Sequence, residues 1–134
     1  MRTFLQAAAV AAALLTSLAA APAQANPPGQ YTTALLGTYG FGRAAVIGKA
    51  GRDAGMWRSY SVRSGFAGDD LTITYRKRYV PSPTETTVYT AAFNEVKDAS
   101  AECEKVGKDG RSRNVWVTYR CRTGFAPSYT LLVK

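Results

Sequence analysis

Residues 47–67 read IGKAGRDAGMWRSYSVRSGFA, and residues 106–126 read VGKDGRSRNVWVTYRCRTGFA. Set side by side without a gap, ten of the 21 positions are identical. They are Gly48/Gly107, Lys49/Lys108, Gly51/Gly110, Arg52/Arg111, Trp57/Trp116, Tyr60/Tyr119, Arg63/Arg122, Gly65/Gly124, Phe66/Phe125 and Ala67/Ala126, each pair 59 apart. Identity at that density marks a tandem duplication. A weaker echo lies upstream, Tyr31-Thr-Thr-Ala against Tyr89-Thr-Ala-Ala, at a separation of 58. Pro81-Ser-Pro83 reads as a short stiff linker between the copies. Two copies are too few for a solenoid. The expected organisation is one domain over 26–134, with halves of about 31–80 and 84–134 sharing a core around a pseudo-twofold axis.

Within each copy the residue pattern reads as β. Val46-Ile47 lead into Gly48-Lys-Ala-Gly51, a turn by its glycines, and Asp109-Gly110 is a hairpin signal. The next stretch alternates with period two. Val115, Val117, Tyr119 and Cys121 share one face, matched by Met56, Arg58, Tyr60 and Val62. Leu71, Ile73 and Tyr75 alternate with Thr72, Thr74 and Arg76, with a counterpart over Tyr129 to Val133. Thr84 to Phe93 is a further strand by its Thr, Val and Tyr content. Ala92, Val96, Ala99, Cys103 and Val106 recur at helical spacing, but their partner stretch 33–47 holds Gly37, Gly40 and Gly42, poor helix formers. Strand is therefore expected there, with a short helix or turn near 94–100. The expected fold is all-β: a small antiparallel sandwich or barrel of six to eight strands with one disulfide.

Arg2, the apolar run Ala7 to Leu15 and the small-x-small signal Ala23-Gln24-Ala25 predict a removable signal peptide over 1–25. The protein is expected to be secreted, to the medium or the cell envelope, without transmembrane anchoring. In that compartment Cys103 and Cys121 predict one disulfide. It would close a loop worth about 3 kcal/mol by chain entropy. If Cys103 and Cys121 are neighbours, their repeat equivalents Ala44 and Val62 are expected to be neighbours too.

The sequence has no histidine. That removes Ser-His-Asp and Cys-His nucleophiles and most catalytic zinc sites. No phosphate loop, metal cluster or dinucleotide fingerprint is present, so neither metal nor cofactor is expected. Asp69-Asp70 and Glu102/Glu104 are carboxylates without a visible catalytic spacing. The expectation is a non-enzymatic protein. Removing residues 1–25 takes away one of 17 Lys and Arg and none of nine Asp and Glu, leaving a net charge of +7. Partners are expected to be acidic: a polymer, a cell-surface component or an acidic protein.

The face opposite Tyr60 and Tyr119 carries Trp57 with Arg63, and Trp116 with Arg122. If exposed, it is a repeated platform: a flat ring for sugars, a guanidinium for phosphate or carboxylate. If covered, the tryptophans are core. Arg76-Lys77-Arg78 is the densest basic run, with Arg76 and Arg78 on one face of a strand, either ligand-binding or guarding an edge. Trp57, Arg63, Trp116, Arg122, Arg76 and Arg78 are thus the candidate ligand-binding residues for an anionic or sugar-containing polymer or surface. The alternative is a protein-binding effector such as a secreted protease inhibitor, with Lys108-Asp-Gly-Arg-Ser-Arg113 as the exposed basic loop.

Overall fold

The computed structural model describes residues 29–124 and 127–134. The signal peptide expected over 1–25 lies outside the described residues, as do Phe125 and Ala126 of the second repeat copy. The element order is β1 (Tyr31–Tyr39), α1 (Arg43–Asp53), β2 (Ser59–Ser64), β3 (Asp69–Arg76), β4 (Thr86–Ala91), α2 (Ala99–Ser112), β5 (Tyr119–Thr123) and β6 (Tyr129–Val133). The same β-α-β-β unit therefore occurs twice. Each unit forms a three-stranded antiparallel sheet, ordered β1-β3-β2 in the first half and β4-β6-β5 in the second.

The fold is mixed α/β, and the all-β expectation is corrected. The glycines that read as a turn lie inside helices. In α1 the buried residues include Ala44, Ile47, Gly48 and Gly51, at the i, i+3, i+4, i+7 spacing of one helical face. In α2 they are Ala99, Cys103, Val106, Gly107 and Gly110, so 92–106 is no strand. Two glycines per helix cost about 1 kcal/mol each relative to alanine. The offset is contact. A Cβ on Gly51 would stand 1.9 Å from Trp57 Cζ2, and one on Gly110 would stand 2.0 Å from Trp116 Cζ2. On Gly48 and Gly107 it would stand 2.4 and 2.2 Å from the Tyr60 and Tyr119 rings. The glycines thus floor a slot for two aromatic rings. Each indole closes it by donating Nε1–H to a helical carbonyl, Trp57 to Gly48 O at 2.8 Å and Trp116 to Gly107 O at 2.9 Å.

Each helix packs on its own sheet and also on the first strand of the other half, α1 on β4 and α2 on β1. Two contacts join a residue to its own repeat equivalent. The Trp57 and Trp116 rings lie with centroids 6.5 Å apart. Arg43 meets Glu102, 59 residues on, with Nη2 donating at 2.8 Å and Nε at 3.0 and 3.2 Å to the carboxylate. Such self-equivalent contacts put both pairs on an approximate twofold axis. The guanidinium and carboxylate are both about nine-tenths buried, so each leaves the other uncompensated if removed.

The upstream echo at separation 58 does not survive. Both first strands carry a bulge, at Leu36 in β1 and at Val88 in β4, and both bulged residues are buried. Aligning the bulges matches Ala34 with Thr86 and Gly37 with Tyr89. Tyr31, opposite Arg76, is exposed, whereas Tyr89 is buried. The disulfide joins Cys103 on α2 to Cys121 on β5, with Cα atoms 6.1 Å apart. Their equivalents sit on α1 and β2, which also pack together, with Ala44 fully buried and Val62 38% exposed.

Two consequences are measurable by urea unfolding. Gly51→Ala or Gly110→Ala, normally a gain in a helix, should cost about 1–3 kcal/mol by overpacking against tryptophan. Arg43→Ala should cost about 3–5 kcal/mol. The exchange Arg43→Glu with Glu102→Arg should recover part of that loss, because both positions lie at the axis, while Glu95 beside position 43 and Tyr89 beside position 102 hold back the rest. An exchange no more stable than Arg43→Ala would refute the axial placement.

Candidate functional site

The structure buries both candidate tryptophans, sets Arg63 and Arg122 on separate sheets, and brings Arg76 and Arg78 together. Trp57 and Trp116 are 3% and 0% exposed, so neither ring is a surface platform. That corrects the outer-face placement: the slot between helix and sheet takes the ring, and Trp57 shows no more than an edge at the surface. Arg63 and Arg122 are exposed on the outer faces of β2 and β5, opposite Asp70 and Thr130, on different sheets. Arg76 ends β3, and Arg78 follows two residues later. Because β3 is the central strand of its sheet, the edge-guarding role considered for Arg76 does not apply.

Arg76 and Arg78 instead join a residue that alternation placed on the inner face. Arg58 precedes β2, and its backbone N–H donates to Thr74 O at 2.8 Å, which brings it beside the end of β3. Its side chain is exposed. The Arg76 guanidinium carbon stands 4.5 Å from the Tyr31 ring centroid and that of Arg58 stands 5.1 Å away, so one tyrosine holds two arginines by cation–π attraction. Arg58, Arg76 and Arg78, with Tyr31, Tyr75 and the edge of Trp57, line a shallow depression of about 320 Å³.

The floor of this depression is tied to the other half. The Tyr75 hydroxyl donates to the Arg113 carbonyl, and the Arg78 backbone N–H donates to Asn114 O at 2.7 Å. Burial raises the Tyr75 pKa, with Arg113 opposing, so the hydroxyl remains a donor. The second half has no copy of the cluster, since Val117 stands where Arg58 does. The basic run 76–78 was legible in the sequence. Arg58 and Tyr31 were not, because only the pairing of β1 and β2 on either side of β3 brings them to it.

No carboxylate lines the depression, and the nine in the sequence are engaged elsewhere. Asp69 accepts from Gly42 N at 2.7 Å, at the start of α1, and from Ser64 Oγ at 2.8 Å. Asp70 accepts from Thr38. Asp98 caps α2 by accepting from Ala101 N at 3.0 Å. Glu104 accepts from Tyr119, and Glu102 and Glu95 both face Arg43. Asp53, Asp109 and Glu85 pair with Lys49, Lys105 and Arg120. None of the ion pairs among the described residues uses Arg58, Arg76 or Arg78. Of the carboxylates weighed for catalysis, Asp69 and Asp70 accept from backbone N–H and hydroxyl donors, Glu102 pairs with Arg43, and Glu104 accepts from Tyr119. Among the described residues no group of side chains has the composition of a metal site, and no helix is long and apolar enough to cross a membrane.

The basic loop considered as a protease contact is also corrected. Residues 108–112 are the last turns of α2, and Arg113 is its C-cap. The Arg111 guanidinium lies over the Tyr119 ring, 5.2 Å from its centroid. No protein-family model, curated protein or solved structure matches the chain.

The tyrosine hydroxyls that face Asp109 and Glu102 set a pH limit. Tyr39 donates to Asp109 Oδ2 at 2.9 Å and Tyr89 to Glu102 Oε1 at 3.4 Å. Burial, then the neighbouring carboxylates, pushes both phenols far above the usual tyrosine value. The unfolded chain loses these protons near pH 10 while the folded chain keeps them. Their contribution is therefore fully present below about pH 10 and is lost as pH rises beyond it. Urea midpoints should fall with pH above that point, and Tyr39→Phe with Tyr89→Phe should flatten the slope. An unchanged slope would contradict the assignment.

Proposed function

We propose that this protein is exported, carries out no catalysis, and binds an anionic polymer or surface through the depression of Arg58, Arg76 and Arg78. The observation that supports this reading is three guanidiniums converging on one concave surface with two tyrosines and no carboxylate. Arginine presents planar paired donors that suit phosphate, sulfate or carboxylate oxygens, and a like-signed cleft raises the local concentration of such groups. Two of the three are already fixed on Tyr31, which lowers the entropy lost on binding. Burial of both tryptophans removes support for a stacked sugar, so the ligand class narrows to the anionic group itself.

Titration of the processed chain with inorganic polyphosphate, by calorimetry at low and at raised salt, tests the reading. Binding should weaken steeply with salt. Arg58→Ala with Arg76→Ala should weaken it at least about tenfold, because both contacts are charge-assisted. Arg63→Ala with Arg122→Ala removes the same charge from the outer sheet faces and should change affinity little. Equal losses in the two double variants would mean that net charge alone attracts the polymer.

A further inference from the structure

Phenylalanine is placed against its usual habit. Among large apolar side chains it is ordinarily one of the most buried. Beyond the expected signal peptide the sequence has four: Phe41, Phe66, Phe93 and Phe125. The described core is built from Leu, Ile, Val, Met, Ala, Cys, Tyr and Trp, without phenylalanine. Phe41, Phe66 and Phe93 are 69%, 106% and 54% exposed. Their positions follow the repeat. Phe41 lies two residues past β1 and Phe93 two residues past β4. Phe66 occupies the β2–β3 hairpin, and Phe125, outside the described residues, is its equivalent in sequence.

Phe41 and Phe66 leave the same end of the first sheet. Tyr39 pairs with Asp69 where the turn at 40–42 meets the hairpin at 65–68. Gly42 N–H donates to Asp69 Oδ2 at 2.7 Å, and Gly65 N–H donates to Gly68 O at 2.8 Å across the hairpin. The two loops touch closely: a Cβ on Gly68 would stand 2.2 Å from Tyr39 O. Phe41 stands between Gly40 and Gly42, and Phe66 between Gly65 and Ala67, so no large neighbour in sequence shields either ring.

We propose that this end of the first sheet enters an anionic lipid surface, with Phe41 and Phe66 as the inserting side chains. Lone rings on small-residue loops offer little surface to a rigid partner, which needs a matched cavity for each. A bilayer boundary closes around them. The net charge of +7 beyond residue 25 draws the protein to anionic headgroups, and exposed Arg63, opposite Asp70 near the hairpin, is available to them. The arginine depression lies at the other end of the same sheet, where Tyr31 pairs with Arg76. Eight strand residues separate the ends by roughly 25 Å. The inference is independent of the polymer site, and both can be occupied at once.

The test uses the processed chain with vesicles of mixed phosphatidylcholine and phosphatidylglycerol. Trp57 and Trp116 are buried, so Phe66→Trp adds the one tryptophan that senses lipid. Its emission should shift to the blue on vesicle addition and be quenched by lipids brominated in the acyl chain. Phe41→Ser with Phe66→Ser should lower vesicle partitioning at least about tenfold and leave the urea midpoint unchanged, because both rings are exposed. Arg58→Ala with Arg76→Ala should keep the blue shift, which separates this inference from the polymer site. No shift overturns the proposal, as does undiminished partitioning of the double serine variant. A lipid-free dimer that the serine variant abolishes would also overturn it, by assigning the tips to a second copy of the chain.

Discussion

The approach of two helices to two tryptophan rings is the constraint on which this fold depends. Trp57 and Trp116 meet at the twofold axis, and each must lie flat on a helix to reach it. A helix with alanine at Gly51 or Gly110 would hold its ring off by the width of a methyl group. The overpacking would strain the indole's hydrogen bond to the helical carbonyl at the point where the halves share a core. The second glycine of each helix does the same for Tyr60 and Tyr119. The repeated Gly-Lys-x-Gly and Trp-x-x-Tyr motifs are thus the two sides of one contact, written twice.

Duplication gives like residues at an axis, and like residues there are hard to bury when they are charged. At position 43 and its equivalent 102 the two halves carry opposite charges, which makes the axial contact an ion pair. Glu95 and Tyr89 add to one side of it, and neither has a matching residue in the first half. The same divergence appears beside the disulfide. A covalent bond ties α2 to β5, while α1 and β2 hold Ala44 and Val62 in the corresponding places.

Charge is partitioned by role. The carboxylates pair with lysines or arginines or accept from backbone N–H groups and hydroxyls, Asp98 as the cap of α2, and the excess cations are left on the surface. Where three of them converge, at the end of β3, the chain is crossing from one half to the other. Pseudosymmetry is broken there, which explains why the arginine depression occurs once. The exposed phenylalanines follow the repeat, because they sit on loops that both copies possess.

The sequence alone determined the duplication, the disulfide and three strands close to their observed limits, among them Tyr129–Val133. Those follow from identity, cysteine count and period-two alternation, all of which are local or pairwise along the chain. It misread both helices: Gly48, Gly51 and Gly110 read as turn residues, and Gly37, Gly40 and Gly42 argued against the helical spacing in 92–106, although Gly37 lies in β1 and the other two before α1. It also left the tryptophans open between surface and core, because the ring that needs a glycine beneath it is six residues away in sequence and reaches it only through the tertiary fold. The basic run at 76–78 could be seen in the sequence, but Arg58 and Tyr31 belong to two strands flanking β3, and only the β1-β3-β2 order decided that they join it.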